Sequence, residues 1–301
     1  MQLLDGKKTA ASIKDEIKQT VDAIKLQKKR VPHLAAILVG DSTASKTYIN
    51  NKIKSCKEVG FKSTLLHLEK DITENELIAQ INNLNNDNSI DGFIVQLPLP
   101  KHINEERVLL SITPEKDVDG FHPINLGKMM IGLPAFISAT PKGIVEILKR
   151  YNIQTSGKHC VVVGRSNIVG TPISILLGKK SEAGNATVTL CHSHTKDLKT
   201  YTLQADIIIA ATGKPNLITA DMVKDGVVII DVGINRIDDN SERGYHLVGD
   251  VDFKNVSKKS SYITPVPGGV GLMTVASLLQ NTLAAYQAAY YPKDFIEENL
   301  L

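Results

Sequence analysis

Residues 42–59 contain a lysine whose surroundings would suit acid–base chemistry. At ~100° per residue, one face of a helix over this segment carries Ser45, Tyr48, Ile49, Lys52, Ile53, Cys56 and Val59. Lys52 therefore lies among apolar side chains, one turn after Tyr48. An amine that is partly removed from water has a lowered pKa and acts as a base near neutral pH. A lysine that snorkels past the core edge, or pairs with a structural acid, fits the same spacing.

Tyr48 and Lys52 also have the Tyr-x-x-x-Lys spacing of the catalytic pair in short-chain dehydrogenases. In that family the pair follows the glycine-rich loop and belongs to the same Rossmann unit. Here the pair precedes Gly164 and lies in another predicted domain. The order of the motifs therefore argues against a short-chain dehydrogenase.

Three other segments combine polar or flexible residues with positions that suit a site. VQLPLP places Gln96 at the C-terminal end of a predicted strand, where α/β sheets expose functional groups. KDVDGFHP places Asp117 and Asp119 in a turn, although aspartate is favoured in turns for local reasons as well. PVPGGVG, at 265–271, is either a stiff connection or a wall that lets a flat ring approach the backbone.

A second type of chemistry is indicated by KHCVVVGRSNIVGTPISILL, which passes from a strand pattern through Gly164 to a helical pattern after Gly170. Glycines at such a turn let the backbone approach a pyrophosphate, which then meets the amide groups at the helix start. The spacing differs from G-x-G-x-x-G, and a tight turn alone would explain two glycines. Because later strands complete a doubly wound pattern, residues 156–233 are predicted to bind a dinucleotide.

The end of the next strand favours NADP over NAD. An NAD site usually has a carboxylate there, which accepts hydrogen bonds from the ribose hydroxyls. Here the strand continues into Cys191-His192-Ser193-His194, and the first acid is Asp197. Hydroxyl and cationic groups, including Arg165 in the glycine loop, would attract a ribose phosphate. The four adjacent residues Cys191, His192, Ser193 and His194 cannot all bind one metal ion, so no metal site is predicted.

Two strand–helix series must position these residues. In the first series, strands are predicted at 33–40, 61–68 and 91–100, and helices at 8–29, 41–60 and 73–86. In the second, helices are predicted at 142–151 and 272–290, and strands near 159–163, 186–190, 205–210, 226–231 and 262–266. Residues 113–142, rich in proline and glycine, are predicted to be a loop-rich connection. Such alternation implies parallel strands with helical crossovers.

Composition limits the class of protein. A net charge of +3 with dispersed basic residues argues against nucleic-acid binding. The apolar runs are too short to span a membrane, and the first residues do not have the pattern of a signal peptide. Three scattered cysteines, Cys56, Cys160 and Cys191, suit a reducing compartment. A soluble cytoplasmic α/β protein is therefore expected.

Taken together, several segments resemble the bifunctional methylenetetrahydrofolate dehydrogenase/cyclohydrolases. They are, in the order of that family, Ser45-x-x-Tyr48-x-x-x-Lys52, VQLPLP, KDVDGFHP, TPKG, VVVGRSNIVGTP, CHS, DVGIN, GDVDF and TPVPGGVG. Several unrelated motifs in one order are far more specific than any one of them. Two positions depart from the family's pattern: Leu272, where a proline is common, and Ala139, where a cysteine is often found. Neither removes a group with an implied catalytic role.

The resemblance implies two α/β domains flanking a cleft, the second a Rossmann-like doubly wound parallel sheet. Residues 1–140 plus 272–301 would form the folate-binding catalytic domain, and residues 141–271 the NADP-binding domain. It implies NADP-dependent oxidation of 5,10-methylenetetrahydrofolate to 5,10-methenyltetrahydrofolate, then hydrolysis to 10-formyltetrahydrofolate. It also implies a homodimer, a place in one-carbon metabolism and purine biosynthesis, and no metal.

The resemblance assigns roles to residues as well. Lys52 would be the catalytic amine, hydrogen-bonded to Gln96, while Tyr48 would lie against the folate rings and Asp119 would accept hydrogen bonds from the pterin. Further folate contacts would come from Ser45, Val95, Leu97, Pro267, Gly268 and Gly271. The cofactor would be bound by Gly164, Arg165, Ser166, Ile168, Val169, Gly170, Ser193, Thr212, Gly213, Gly233 and Ile234. Arg165 and Ser193 would hold the ribose phosphate.

Two other hypotheses make different demands on the sequence. A dehydrogenase for amino or hydroxy acids would need an Arg or Lys pair for the substrate carboxylate, and none is found near Lys52. In a non-catalytic protein that only senses NADP, burial of Lys52 and Gln96 would serve no purpose. Turnover by the purified protein separates such a sensor from an enzyme.

Overall fold

The computed structural model describes residues 1–241 and 244–291. The chain divides into two compact units. The six-stranded unit comprises Met1–Ala11 and Thr140–Thr274, and the three-stranded unit comprises Ser12–Ala139 and the chain from Val275 onward. The predicted boundaries differ from this division at the N-terminus. Residues 1–11 belong to the six-stranded unit because strand β1 (Gln2–Leu3) pairs in parallel with β11 (Tyr262–Ile263).

The three-stranded unit is built on a small parallel sheet. Its strands are β2 (His33–Val39), β3 (Lys62–Leu68) and β4 (Gly92–Val95), in the order β3-β2-β4. Its helices are α2 (Thr43–Val59), α3 (Glu74–Asn86), α4 (Glu105–Leu110) and α5 (Pro123–Ile131). The unit boundaries fall within α1 (Gly6–Leu26) and α10 (Val270–Tyr286). Every residue of the central strand β2 is buried, as expected for a parallel strand covered on both faces.

Local sequence signals fix the ends of the helices that follow β2 and β3. The Ser42 hydroxyl accepts a hydrogen bond from the Ser45 N–H and caps α2, which ends at Gly60 in the left-handed conformation. Thr73 and Glu76 form a reciprocal capping box at the start of α3. Because both ends of α2 are defined, the face that carries Lys52 is fixed relative to the sheet.

The six-stranded unit contains the larger parallel sheet. Its remaining strands are β5 (His159–Val163), β6 (Thr187–Cys191), β7 (Ile207–Ala210) and β8 (Val228–Asp231), and the full order is β1-β11-β8-β7-β5-β6. The other elements are α6 (Ala139–Arg150), α7 (Gly170–Gly178), α8 (Leu198–Thr202), a 3-10 helix (Ala220–Met222), the antiparallel pair β9 (Asn235–Asp238) and β10 (Tyr245–Val248), and α9 (Phe253–Val256). The predicted α/β class with a Rossmann-like doubly wound parallel sheet is confirmed.

The register of this sheet aligns the ends of its strands. Val163 at the end of β5 lies opposite Cys191 of β6 and Ala210 of β7, and Ala210 lies opposite Asp231 of β8. The loops that follow these four strands therefore all leave from one edge of the sheet. This is the edge at which open α/β sheets bind ligands.

Several regions differ from the predicted elements, among them residues 113–142 and the β9–β10 pair. Residues 113–142 were expected to be mostly loop, but they contain α5. Its Pro123 occupies the first helical turn and its Gly132 is a left-handed C-cap, so these residues mark the ends of a short helix. The β9–β10 pair was not predicted, since neither strand has an alternating apolar pattern.

Within the described residues, none of the helices combines the length and the hydropathy that a membrane crossing needs.

Gly6 offers a test of how closely the N-terminal segment packs in the six-stranded unit. A Cβ atom at Gly6 would overlap the carbonyl group of Gly269, and the next residue, Lys7, donates its N–H to Gly268 O at 3.1 Å. Gly6→Ala is expected to lower the free energy of unfolding by about 1–3 kcal/mol, because backbone has to move. Urea unfolding followed by circular dichroism measures this change.

Gly178→Ala is the matched control, since its added Cβ would meet only Val188 Cγ2 at 3.7 Å, an ordinary contact. An equal shift of the urea midpoint in both variants would contradict the close approach at Gly6.

Candidate active site

Lys52 is positioned by the buried face of α2. Ser45, Ile49 and Cys56 are buried on this face, as the periodicity predicts. Lys52 itself is partly buried. Tyr48 differs from its neighbours, because 47% of the residue is exposed. An aromatic ring that stays exposed beside a buried helix face is available to contact a flat ligand.

Gln96 meets Lys52 from the end of β4. Its N–H donates to Ile37 O at 2.9 Å, which fixes its backbone beside the central strand β2. Its Nε2 donates to the carbonyl of Leu97 at 2.7 Å. Because that bond uses the NH₂ group, Oε1 is the atom left to face the amine, and Lys52 Nζ donates to it at 3.2 Å.

Asp119 is the third member of this group. The carboxyl is partly buried, and burial raises its pKa above the usual value. The positive charge of Lys52 opposes this rise in the pKa of Asp119, so the two side chains lie within electrostatic reach. Within the three-stranded unit, Lys52 and Gln96 are therefore joined by a hydrogen bond, and Asp119 is affected by the charge of Lys52.

Asp117 has a different role from its neighbour Asp119. Its carboxylate is buried and accepts hydrogen bonds from the backbone N–H groups of Gly120, Phe121 and His122 at 2.8–3.2 Å, and from Asn125 Nδ2 at 2.9 Å. Burial raises the pKa of Asp117 to about 7, while the hydrogen bonds from His122, Asn125 and Phe121 oppose the rise. Asp117 thus shapes the turn that carries Asp119.

The remaining predicted contacts of the three-stranded unit lie close to Gln96 in sequence or on α2. Val95 is buried in the core that β2, α3 and β4 share, and Leu97 packs against the same core. Ser45 is buried at the start of α2. The Val95 side chain therefore has neighbours within the fold, and any ligand contact at this residue would involve its backbone.

The glycine loop of the six-stranded unit joins β5 to α7 through close backbone packing. Gly164 has φ +118°, and a Cβ atom there would overlap the carbonyl of Ala211. A Cβ at Gly170 would overlap the carbonyl of Gly164. Val169 precedes α7 without a side-chain cap bond, and at the helix start the Gly170 N–H donates to Ser166 Oγ at 3.5 Å.

Several predicted cofactor residues line this loop. Ser166 Oγ accepts a hydrogen bond from the Val169 N–H at 3.2 Å and so stabilises the turn. Arg165, Ser166 and Ile168 are exposed. A loop with an exposed cation and hydroxyl beside a helix N-terminus has the donors that a dinucleotide phosphate needs.

The strand order places this loop at a topological switch point. Strand β6 lies on one side of β5, and β7 lies on the other. Crevices at such points bind dinucleotides. The exposed Ser193 follows β6, while Thr212 and Gly213 follow β7. Asp197, the first acid after β6, accepts a hydrogen bond from the Thr200 hydroxyl at the start of α8.

Two buried aspartates hold the loops after β7 and β8, and sequence analysis did not identify them. Asp250 accepts hydrogen bonds from the N–H and hydroxyl of Thr212, from the Gly213 N–H at 2.9 Å, and from Asn235 Nδ2 at 2.9 Å. Asp231 accepts from the N–H groups of Gly233 and Asp250. These carboxylates fix three of the predicted cofactor residues: Thr212, Gly213 and Gly233.

The motifs DVGIN and GDVDF, which contain Asp231 and Asp250, carry a sequence signal for this packing. A Cβ at Gly233 would overlap the Asp250 carboxylate, and a Cβ at Gly249 would overlap that of Asp231. Burial raises the pKa of Asp231 to about 6, with a smaller contribution from the charge of Asp250, while three backbone N–H bonds oppose the rise. The glycine of each motif thus lies against the aspartate of the other motif, where a larger residue would not fit.

The PVPGGVG turn also lies in the six-stranded unit. Gly268 has φ +110°, Pro267 is exposed, and a Cβ at Gly271 would lie 3.0 Å from Ile234 Cδ1. The side chain of Ile234, a predicted cofactor contact, is 45% exposed. The structure thus brings Gly271 and Ile234 together, whereas the roles of Pro267 and Gly268 in folate binding stay predictions.

Metal binding has no candidate in the described part of the chain. No three His, Cys, Asp or Glu side chains in residues 1–241 and 244–291 are arranged to hold an ion.

Comparison with known proteins identifies both units. A family model described as the catalytic domain of tetrahydrofolate dehydrogenase/cyclohydrolase matches residues 4–119. The model for the NAD(P)-binding domain of the same family matches residues 138–290. The bifunctional protein FolD of Cytophaga hutchinsonii is 60% identical over 286 residues, which cover 95% of this chain and 99% of the relative.

Solved structures give the same result. The bifunctional methylenetetrahydrofolate dehydrogenase/cyclohydrolase from Campylobacter jejuni is 53% identical with a TM-score of 0.90, covering 96% of this chain and 99% of its own. The Trypanosoma brucei dehydrogenase-cyclohydrolase, complexed with NADP and an inhibitor, is 36% identical with a TM-score of 0.89, covering 95% and 97%.

The contrast between Asp117 and Asp119 can be tested by two equivalent substitutions. Asp117→Asn replaces an acceptor oxygen by an NH₂ group that faces N–H donors, so the free energy of unfolding is expected to fall by about 1–3 kcal/mol. Asp119→Asn is expected to change it by less than about 0.5 kcal/mol. Thermal unfolding of both variants measures the difference. Equal losses would show that Asp117 does not frame the turn.

Proposed function

The chain belongs to the tetrahydrofolate dehydrogenase/cyclohydrolase family, and from that premise we propose that it catalyses two successive reactions. It oxidises 5,10-methylenetetrahydrofolate to 5,10-methenyltetrahydrofolate with NADP, and it hydrolyses the product to 10-formyltetrahydrofolate. Both the catalytic and the NAD(P)-binding domains of the family are present. The observation that carries the proposal is the hydrogen bond from Lys52 Nζ to Gln96 Oε1, with Asp119 in electrostatic reach.

Lys52 is suited to the hydrolysis of a cationic substrate. As a general base, the amine would donate one N–H to Gln96 and take the proton of the attacking water on its lone pair. Gln96 fixes the direction of that lone pair, because its own NH₂ group is held by Leu97. A neutral base is preferable here, since a permanent positive charge would oppose the cation that forms on the one-carbon bridge.

Asp119 and Tyr48 supply complementary contacts for a folate. The pterin ring presents amino and ring N–H donors, which a carboxylate accepts in a bidentate manner. The exposed ring of Tyr48, one helical turn before Lys52, offers a flat apolar surface beside the amine.

The residues of the glycine loop fit NADP. The close backbone packing at Gly164 and Gly170 holds the loop in a tight strand–helix turn, the kind of turn that places a pyrophosphate at a helix N-terminus. Arg165 and Ser193 are exposed and can bind a ribose phosphate, whereas the nearest acid, Asp197, is bonded to Thr200. When bound, NADP accepts the hydride that leaves the folate.

We further propose that the enzyme is a cytoplasmic homodimer that serves one-carbon metabolism. Three free, buried cysteines, Cys56, Cys160 and Cys191, suit a reducing cytoplasm. A homodimer follows from the resemblance to the family, and light scattering would test it. The product, 10-formyltetrahydrofolate, is a formyl donor, which is consistent with a role in purine biosynthesis.

A coupled assay tests the two reactions separately. Purified protein is mixed with 5,10-methylenetetrahydrofolate and either NADP or NAD, and reduced cofactor and methenyl product are followed independently. We expect reduction with NADP well above that with NAD, and little accumulation of the methenyl product. Absence of reduction with both cofactors would refute the proposal. Accumulating methenyl product would retain the dehydrogenase and remove the cyclohydrolase.

Lys52→Met tests the assigned amine. The variant loses the base for water attack, so the rate of methenyltetrahydrofolate hydrolysis is expected to fall at least ~100-fold. The absorbance of the methenyl substrate measures this rate. Lys54→Met is the matched control, because Lys54 is exposed two residues along the same helix. Hydrolysis at the wild-type rate by the Lys52 variant would contradict its role.

A further inference from the structure

Residues 287–291, which follow α10, pack against Phe136 and α5 of the three-stranded unit. After α10 ends at Tyr286, Ala288 adopts a left-handed conformation with φ +50° and turns the backbone. The rings of Tyr290 and Tyr291 then lie 5.2 and 5.9 Å from the ring of Phe136, centroid to centroid. Phe136 is almost completely buried, so the two tyrosines cover part of the core.

Tyr291 makes two additional contacts with α5. Lys128 Nζ lies 3.7 Å from the centroid of its ring, a cation–π distance. The Tyr291 hydroxyl donates to Asn125 Oδ1 at 2.8 Å. Burial raises the pKa of the Tyr291 hydroxyl, and the charges of Glu115 and Asp117 add to this effect. The hydroxyl therefore keeps its proton and remains a donor throughout the pH range of an assay.

Asn125 connects Tyr291 to the turn at Asp117. It is fully buried, and its Nδ2 donates both to Asp117 Oδ2 at 2.9 Å and to Pro114 O at 3.0 Å. Its Oδ1 accepts from the Phe136 N–H at 3.3 Å as well as from Tyr291. The amide can satisfy all these partners in only one orientation, so the bond from Tyr291 helps to select it.

We propose that Tyr291 is a positioning residue for the folate site: through Asn125 it holds Asp117, and thereby the turn that presents Asp119. The chain of contacts is continuous, because Asp117 in turn binds the N–H groups of Gly120 and His122, just after Asp119. The inference rests on the proposed function, in which Asp119 binds the pterin. It gives the segment after α10 a part in substrate binding without direct contact with the substrate.

Tyr291→Phe is the sharpest test, since it keeps the ring on Phe136 and Lys128 and removes only the hydroxyl. Loss of this hydrogen bond is expected to raise the KM for both the methylene and the methenyl substrate ~5-fold. The Kd for tetrahydrofolate, measured by calorimetry, should rise by the same factor. The KM for NADP should stay unchanged, because the glycine loop is not part of this network.

Tyr286→Phe is the matched control. Its ring lies 4.9 Å from the guanidinium carbon of Arg30 and takes no part in the Asn125 network. This variant should retain wild-type values of both KM and Kd. Thermal unfolding of the two variants separates a loss of stability from a loss of folate affinity.

Two results would overturn the inference while leaving the proposed function in place. One is an active Tyr291→Phe enzyme with wild-type KM and Kd for folates, even if its thermal midpoint is lower. The other is an equal rise in the KM for folates and for NADP, which would indicate general loosening. If the wild-type protein neither binds tetrahydrofolate nor turns over its derivatives, the proposed function fails and the inference fails with it.

Discussion

Buried aspartates that accept hydrogen bonds from backbone N–H groups hold the functional loops of both units. Asp117 binds three consecutive N–H groups in the three-stranded unit, and Asp250 binds those of Thr212 and Gly213 in the six-stranded unit. Burying a carboxylate is costly unless its lone pairs are satisfied. Here the backbone satisfies them, so each loop is fixed by the same bonds that make the buried charge tolerable.

In each loop, a buried aspartate holds the backbone, and a different residue nearby is left accessible to a ligand. Asp117 is enclosed, whereas Asp119, two residues later, is left partly accessible and in the field of Lys52. In the other unit, Asp250 is buried while Gly213 beside it is exposed. A ligand would therefore meet groups whose positions are already determined, and little binding energy would be lost in ordering them.

Periodicity and motif order predicted much of the fold and part of the candidate site. The apolar arc of α2 identified Lys52, because a charged residue among buried positions is conspicuous at helical spacing. The strands of the larger sheet were predicted from their apolar runs. The local pattern alone could not separate Asp117 from Asp119, since both lie in one turn and aspartate is favoured there whatever its partners; only the family resemblance assigned the pterin to Asp119. The roles of Asp231 and Asp250 were not predicted, because each depends on contacts between segments that are distant in sequence.

Other errors arose where the decisive contact is distant in sequence. Strand β1 has only two residues, and its place in the six-stranded sheet depends on pairing with β11 at the far end of the chain. Helix α5 was not predicted, because the Pro and Gly residues at its two ends are typical of a loop. The bond from Tyr291 to Asn125 joins residues 166 positions apart, and neither belongs to a motif.

The network at Asn125 shows why such distant contacts matter for a polar site. A buried side-chain amide with three or more hydrogen-bond partners has one orientation that satisfies all of them. Loss of one partner can therefore change the orientation of the amide and weaken its bonds to the others. Apolar packing of Tyr290 and Tyr291 on Phe136 would tolerate small shifts, whereas the hydrogen bond to Asn125 depends on direction. Specific placement of Asp119 would thus depend on these polar bonds more than on the surrounding aromatic contacts.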